Sequence, residues 1–227
     1  MARTEPGQAS SHRPKFSLVR GWLLPLLLTV GSAPVQAGDR QWSFRVFLDD
    51  KPIGTHVFTL REQEAGRELR SEASFTVKIL GVTFYRYEHL SLEQWQGDCL
   101  VSMQARTNDG GTRKTVQARL EGSAMAVEAN GVRELLPGCL KSFAYWNPAI
   151  LSADRLLNAQ TGRWEKVIIE AQGPDRLINA RGQASPARRY RIVGPEQPIT
   201  IWYDDANQWV GLESRVGSGR MLAYRLD

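Results

Sequence analysis

The sequence contains few of the residue types that most often carry catalysis or bind metals. Its 227 residues include three histidines and two cysteines, and neither a Gly-x-Ser-x-Gly nor a Cys-x-x-Cys motif occurs. Only two of the histidines, His56 and His89, lie beyond residues 1–37, and a nucleophilic triad would need one of them. Both are predicted to lie in strands, where a structural, hydrogen-bonded imidazole is the ordinary case. These scarcities count against a hydrolase and predict no catalytic residue, no metal site and no cofactor, although carboxylate chemistry stays open.

Long hydrophobic runs are also missing. The apolar run at residues 21–30 is too short to cross a membrane as a helix. It follows four basic residues and one acidic residue, and it precedes small residues that end at Ala37, which is the order of a secretory signal peptide. We therefore predict a signal peptide over residues 1–37, cleavage between Ala37 and Gly38, and export to the periplasm of a Gram-negative bacterium. A membrane anchor or a buried helix is the alternative interpretation.

The positive charge of the chain lies largely in this N-terminal segment. Removing residues 1–37 takes four bases and one acid from totals of 29 and 24, which leaves 25 and 23. A nearly neutral chain lacks the clustered basic surface that nucleic-acid binding needs. The remaining residues, 38–227, are enough for one domain with a single core, and no transmembrane segment is expected in them.

The two cysteines, Cys99 and Cys139, both lie in the part predicted to be exported. An even cysteine count in an oxidising compartment favours a disulfide between them. Two buried free thiols, or a nucleophilic or metal-binding cysteine, are the alternatives, and the second of these lacks a nearby partner ligand.

Alternation of apolar and polar residues dominates the rest of the chain and predicts about eleven short strands. Asp109-Gly110-Gly111 and Asn130-Gly131 are typical hairpin turns because glycine and asparagine accept a positive φ. Helical turns are predicted at Pro148–Leu151, capped by Asn147, and at Ala153–Asn158. This pattern indicates an all-β fold, either an antiparallel barrel or a strongly curved half-open barrel, lipocalin-like or lipoprotein-carrier-like. On one strand, residues 82–95, aromatic and charged residues occur on both faces, which indicates that one face meets solvent or a roomy interior.

Two groups of side chains are candidates for ligand binding. The aromatic residues Phe143, Tyr145 and Trp146 could line an apolar pocket, or they could fill the end of a barrel. Three arginines on one later strand could hold an anionic head group through bidentate contacts, or they could simply be exposed. These arginines are Arg188, Arg189 and Arg191.

Several short motifs resemble an uncharacterised family of bacterial exported proteins, a domain of unknown function of the DUF6134 type. They are residues 48–54, 93–98, 107–111, 143–148 and 202–204. The chain is also distantly similar to DUF3108-type exported proteins, whose members resemble half-open β-barrels and periplasmic lipoprotein carriers in shape. The resemblance implies a cavity able to hold acyl chains and carries over no catalytic residue.

Taken together, these features favour an exported, non-enzymatic binding protein for a lipid or another amphiphile. A structural or envelope-assembly protein that acts through protein contacts is the second hypothesis, and a hydrolase is the third. Composition and pattern predict no nucleic-acid partner and do not define an oligomeric state.

Overall fold

The structure is a computed structural model that describes residues 39–79, 82–217 and 219–227. The predicted signal peptide and its cleavage site, Ala37 and Gly38, lie outside these residues. No helix in the described ranges is long and apolar enough to cross a membrane.

The described residues form 15 strands and one short 3₁₀ helix. The strands are β1 Arg40–Leu48, β2 Lys51–Gln63, β3 Gly66–Ile79, β4 Val82–Gln96, β5 Cys99–Asp109, β6 Thr112–Glu121, β7 Ala124–Ala129, β8 Val132–Pro137, β9 Arg155–Leu157, β10 Trp164–Lys166, β11 Ile168–Ile178, β12 Ala184–Val193, β13 Ile199–Tyr203, β14 Trp209–Arg215 and β15 Met221–Leu226; the 3₁₀ helix is Pro148–Ser152.

Thirteen of the strands form one antiparallel sheet in the order β11-β12-β13-β14-β15-β1-β2-β3-β4-β5-β6-β7-β8. The first eight strands follow one another outward from the middle of the sheet, and the last five return from the opposite edge until β15 pairs with β1. The end strands β8 and β11 are not paired with each other within the described residues, so the sheet is open. The predicted all-β fold is confirmed, and of the two architectures predicted from the sequence, a barrel and a half-open barrel, the open sheet agrees with the second.

A crossover segment, residues 138–167, connects the two edges of the sheet. It carries the 3₁₀ helix and the small β9-β10 pair. Its backbone bonds to the sheet where the amide of Leu100 donates to the carbonyl of Leu140 over 2.8 Å. Ile150, Leu156 and Leu157 in this segment are fully buried, which places the crossover against the inner face of the sheet.

One hydrophobic core joins both halves of the sheet with the crossover. Trp209 on β14 is fully buried, and its ring centroid lies 4.2 Å from Phe44 on β1, 5.0 Å from Phe58 on β2 and 5.2 Å from Tyr145 in the crossover. Aromatic side chains bury large apolar areas and prefer tilted or edge-on contacts of this kind. β14 is two positions from β1 and three from β2 in the sheet, so rings this close show that the sheet curves around the core.

Both predicted hairpin turns are present. Gly110-Gly111 joins β5 to β6, and Asn130-Gly131 joins β7 to β8 with φ values of 52° and 85°, which both central residues of a type I′ turn require. The predicted helical turn at Ala153–Asn158 is wrong, because residues 155–157 pair with β10 as the strand β9. Short pairs of this kind raise the number of strands above the expected eleven.

The predicted disulfide is present. Cys99, the first residue of β5, is bonded to Cys139 at the start of the crossover, and their Cα atoms are 4.8 Å apart. The described residues contain no free cysteine. The bond therefore fixes the start of the crossover to the sheet, next to the Leu100–Leu140 contact.

Asn147 caps the 3₁₀ helix as predicted, and its replacement by alanine is expected to lower the free energy of unfolding by about 1 to 2 kcal/mol. Its Oδ1 accepts from the amide of Ala149 over 3.0 Å, its Nδ2 donates to Asp98 over 3.1 Å, and the side chain is buried. Urea denaturation would measure the loss. Asn147→Ser keeps the capping oxygen and should recover part of it; equal stability of Asn147→Ala and the parent protein would contradict the capping role.

Candidate functional site

A cavity of about 170 Å³ lies between the inner face of the sheet and the crossover. Alternate residues of β2, β3 and β4 form one wall, and the aromatic stretch of the crossover forms the other. The lining residues are His56, Phe58, Leu69, Ser71, His89, Ser91, Glu93, Phe143, Ala144, Tyr145, Trp146, Asn158, Ala159, Gln160, Pro195 and Ile199. Gln160 is exposed and Pro195 is half-buried, so the cavity meets the surface between the β9-β10 turn and the β12-β13 loop.

The sheet wall carries polar side chains where a core would ordinarily be apolar. Because side chains on a strand alternate between its two faces, His89, Ser91 and Glu93 all point inward from β4. Their exposed fractions are 8%, 1% and 5%. Register places His56 of β2 in this row as well, since it pairs with Ala73 of β3, which pairs with His89. We call this set, His56, Ser71, His89, Ser91 and Glu93, the polar row.

Both imidazoles of the polar row are hydrogen-bonded to neutral groups. The Nε2 of His56 lies 2.7 Å from Ser71 Oγ, and its Nδ1 lies 3.3 Å from the hydroxyl of Tyr224. The Nδ1 of His89 lies 2.8 Å from Thr107 Oγ1. Burial lowers the pKa of His56 well below its ordinary value and lowers that of His89 to about 4, since water can no longer solvate a charged ring. Both rings are therefore neutral at pH 7.

Glu93 is buried at the junction between the sheet and the crossover. Its carboxyl accepts hydrogen bonds from Trp95 Nε1 over 3.0 Å, from Ser142 Oγ over 3.1 Å and from Ser91 Oγ over 3.4 Å. Burial raises its pKa to about 7, and the three donors limit that rise because they favour the ionised form. Near neutral pH a large share of Glu93 is consequently uncharged.

The crossover wall is aromatic. The hydroxyl of Tyr203 donates to the carbonyl of Tyr145 over 2.7 Å and fixes the backbone of this stretch. Trp146 packs edge-on against Trp95 with ring centroids 5.6 Å apart, and Arg67 covers its ring at 4.8 Å. The indole Nε1 of Trp146 is buried and has no hydrogen-bond partner among the described residues. Phe143, Tyr145 and Trp146 thus line the cavity, and ligand binding by this cluster stays a prediction.

The predicted arginines do not reach this cavity. Arg189 and Arg191 point from the outer face of β12 into a separate groove, while Arg188 lies next to Asp205, with its Nη2 3.9 Å from Asp205 Oδ1. Arg189 is held by Asp175 on β11 over 3.2 Å. The aromatic cluster and two of the three arginines, Arg189 and Arg191, thus lie at two sites on opposite faces of the sheet, and Arg188 belongs to neither.

The polar row itself was not predicted as a site. Structural roles were predicted for His56 and His89, and their hydrogen bonds agree with this, whereas no role was predicted for Ser71, Ser91 or Glu93. For Ser91 and Glu93 the available signal is the mixture of aromatic and charged residues on both faces of β4, which indicated a face toward solvent or toward a roomy interior; Ser71, on β3, had no such signal. Within the described residues no group of three His, Cys, Asp or Glu side chains is arranged to hold a metal ion.

Comparison with known proteins identifies the family. The model of the domain of unknown function DUF6134 matches residues 44–227. The chain belongs to this family. Among solved structures it is similar to a beta-barrel-like protein of the domain of unknown function DUF1849 from Brucella abortus, with a TM-score of 0.59 and 10% identity over 82% of this chain and 94% of that chain. At this identity the similarity shows the fold alone. No curated protein matches the chain.

Proposed function

We propose that this member of the DUF6134 family is a non-enzymatic binding protein that holds the uncharged polar end of an amphiphile in the cavity beneath the crossover. The observation that carries the proposal is the polar row facing an aromatic wall inside one cavity. Binding sites for small molecules are typically apolar with a few placed polar groups that orient the ligand. The predicted signal peptide and the disulfide support a role outside the cytoplasm.

The protonation states of the polar row favour a neutral ligand group. The two imidazoles are uncharged at pH 7, and Glu93 is uncharged in part. None of the described residues that line the cavity carries a fixed positive charge to compensate a buried anion, and an unpaired buried anion is costly. A hydroxyl, amide or ester can instead exchange hydrogen bonds with these groups. The second nitrogen of His89 and the indole N–H of Trp146 have unused hydrogen-bonding capacity among the described residues.

The size of the cavity limits what it encloses. A volume of about 170 Å³ is below the roughly 300 to 1,000 Å³ of common ligand pockets. It fits a polar group with a short apolar segment, and a longer chain would leave through the opening beside Gln160 and Pro195. A diacyl lipid would fit only if the crossover moved away from the sheet.

Native purification is the first test. The full-length protein would be expressed with its own N-terminus and purified without detergent, and intact-mass spectrometry would be combined with mass spectrometry of its organic extract. We expect a stoichiometric amphiphile with a hydroxyl, amide or ester group. A protein without any bound compound that also fails to take up 1-decanol would overturn the proposal. The second hypothesis, a structural role through protein contacts, would then gain support. The first candidate surface for such contacts is the open edge strand β8, where Val132 and Leu135 are 72% and 63% exposed.

Filling the cavity is expected to reduce ligand affinity by at least about tenfold. Ala159 lines the cavity and is half-buried, so Ala159→Phe would place a ring where the ligand sits. Calorimetric titration with 1-decanol and with decanoate at pH 7 would measure binding, and the alcohol should bind more tightly than the anion. Ala171→Phe, at an exposed position of β11 outside the cavity, is the matched control. Equal affinity of Ala159→Phe and the parent protein would place the ligand elsewhere.

A further inference from the structure

A second concave site lies on the outer face of the sheet, away from the cavity. It is a groove of about 420 Å³ formed mainly by outward-facing residues of β12, β13 and β14. Its lining residues are Gln172, Arg189, Arg191, Gln197, Pro198, Thr200, Trp202, Glu213, Ser214, Arg215 and Met221. Arg189 and Arg191 were predicted from the sequence to bind an anion, whereas no role was predicted for Arg215 or for the floor of the groove.

The groove exists because the β11-β12 hairpin bends over the outer face. The pairing of β11 with β12 shifts register between Ala171 and Gly173, where Gly173 has a φ of 88°. Beyond that bulge, Leu177 packs against Gly211 of β14, and the amide of Ala180 donates to the carbonyl of Leu226 over 2.9 Å. A bulge bends the strand that contains it, so the hairpin turns back across the sheet and leaves a groove beside the bend.

Strand register brings the groove side chains together. Arg191 of β12 is opposite Thr200 of β13, which is opposite Glu213 of β14. Arg215 lies two residues after Glu213 on the same face and is opposite Met221. Arg191 and Arg215 are thus two strands apart, about 10 Å across the sheet, and are offset by two residues, about 7 Å, along it. The resulting separation of roughly 12 Å between their backbones is one that two long guanidinium side chains can span to a shared anion.

The arginines of the groove differ in whether a carboxylate neutralises them. Arg189 is neutralised by Asp175, whose carboxylate also accepts from Trp202 Nε1 over 3.0 Å. Neither Arg191 nor Arg215 forms an ion pair with a carboxylate in the described part of the chain. Arg215 donates through one nitrogen to the carbonyl of Gly219 over 2.8 Å, which leaves its other donors available. Among the described lining residues of the groove, one carboxylate, that of Glu213, opposes these two cations.

The floor of the groove combines apolar surface with the hydroxyl groups of Thr200 and Ser214. Trp202, Met221 and Pro198 contribute the apolar part. Trp202 is locked in place because its indole N–H is bonded to Asp175. A guanidinium offers a planar set of donors that matches a carboxylate or phosphate, and such charge-assisted hydrogen bonds are among the stronger ones.

We propose that this groove is a second ligand site, which binds an oxyanion carried on a flat apolar body, with Arg191 and Arg215 holding the anion and the Trp202-Met221 floor contacting the body. A carboxylate and a phosphate monoester share the required chemistry. The site is separate from the interior cavity, so one protein would offer a neutral site inside the sheet and an anionic-ligand site outside it.

Calorimetric titration at low ionic strength tests the groove directly. The probes are phenyl phosphate, benzoate and inorganic phosphate, added to the purified full chain. We expect phenyl phosphate or benzoate to bind with a dissociation constant near or below about 1 mM, and the tighter of the two identifies the oxyanion class. The double variant Arg191→Gln/Arg215→Gln is expected to bind at least about tenfold more weakly. Failure of both aromatic probes to bind the parent protein would overturn the proposal.

Charge-matched and site-matched controls separate the groove from general electrostatics. Arg133→Gln/Arg181→Gln removes two arginines from the β8 edge and the tip of the β11-β12 hairpin, outside the groove, and should retain binding. An equal loss of binding affinity in both double variants would show that net charge attracts the probe and would refute the site. If inorganic phosphate bound as tightly as phenyl phosphate, the proposed role of the groove floor would be refuted. Ala159→Phe should leave phenyl phosphate binding unchanged. The proposals for the cavity and for the groove are therefore tested independently of each other.

Discussion

Replacing Cys99 and Cys139 together with serine is expected to lower the free energy of unfolding by about 4 kcal/mol. The bridge closes a loop with a sequence separation of 40, and it restricts the unfolded chain more than the folded one. It also anchors the crossover, which supplies the aromatic wall of the cavity. The double variant should therefore lose ligand affinity as well as stability.

Urea denaturation with and without a reducing agent would measure this effect. Reduced parent protein should approach the stability of the double serine variant, and the variant itself should not respond to the reducing agent. A difference of less than about 1 kcal/mol between parent and variant would show that backbone contacts such as Leu100–Leu140 hold the crossover without the bridge. The loop-closure explanation would then be wrong for this protein.

The hairpins are the part of the fold that local sequence determines most directly. Residues such as Gly110 and Asn130 require φ values that few residues accept, so the turn chemistry is visible without a structure. Alternation likewise assigns the buried face, as Phe44 and Val46 on β1 show. Residues 155–157 were misassigned because their pairing partner β10 lies beyond a turn, and short strands depend on such tertiary pairing more than on their own preference.

The order of the strands and the location of the sites could not be read from the sequence in the same way. That β15 pairs with β1, and that the crossover passes along the inner face, depends on contacts between residues far apart in the chain. The inward position of Glu93 follows from alternation on β4, but an isolated carboxylate in a strand ordinarily indicates a solvent-facing side. Arg189 and Arg191 were predicted as candidates for anion binding because they lie on one strand, whereas the bend that turns their face of the sheet into a groove depends on the bulge beside Gly173.

Glu93 is expected to make the folding stability fall as the pH rises from about 5 to 7. The pKa of its carboxyl is about 7 in the folded protein, against an ordinary value of 4.5. Between these two values the folded state binds a proton that the unfolded state has released, so each pH unit of increase costs about 1.4 kcal/mol. The full contribution, roughly 3 kcal/mol, is present below pH 4.5 and is lost above pH 7.

Glu93→Gln isolates this contribution, because glutamine approximates the protonated acid and does not titrate. The variant should be more stable than the parent protein at pH 8 by up to roughly 3 kcal/mol, and the difference should vanish toward pH 4.5. His56 and His89 contribute in the opposite sense, since their lowered pKa values make stability fall as the pH drops below 6.5. Both histidines are present in parent and variant, so their contribution cancels in the difference.

Urea denaturation of both proteins at intervals from pH 4.5 to 8.5 would provide the curve. Glu88→Gln, at an exposed position on the same strand, is the matched control and should follow the parent protein at every pH. A constant difference between parent and Glu93→Gln across this range would show that the buried carboxyl does not titrate in it. If the difference does change, ligand affinity should be measured over the same range, because the charge on Glu93 forms inside the cavity and should weaken the binding of 1-decanol as it appears.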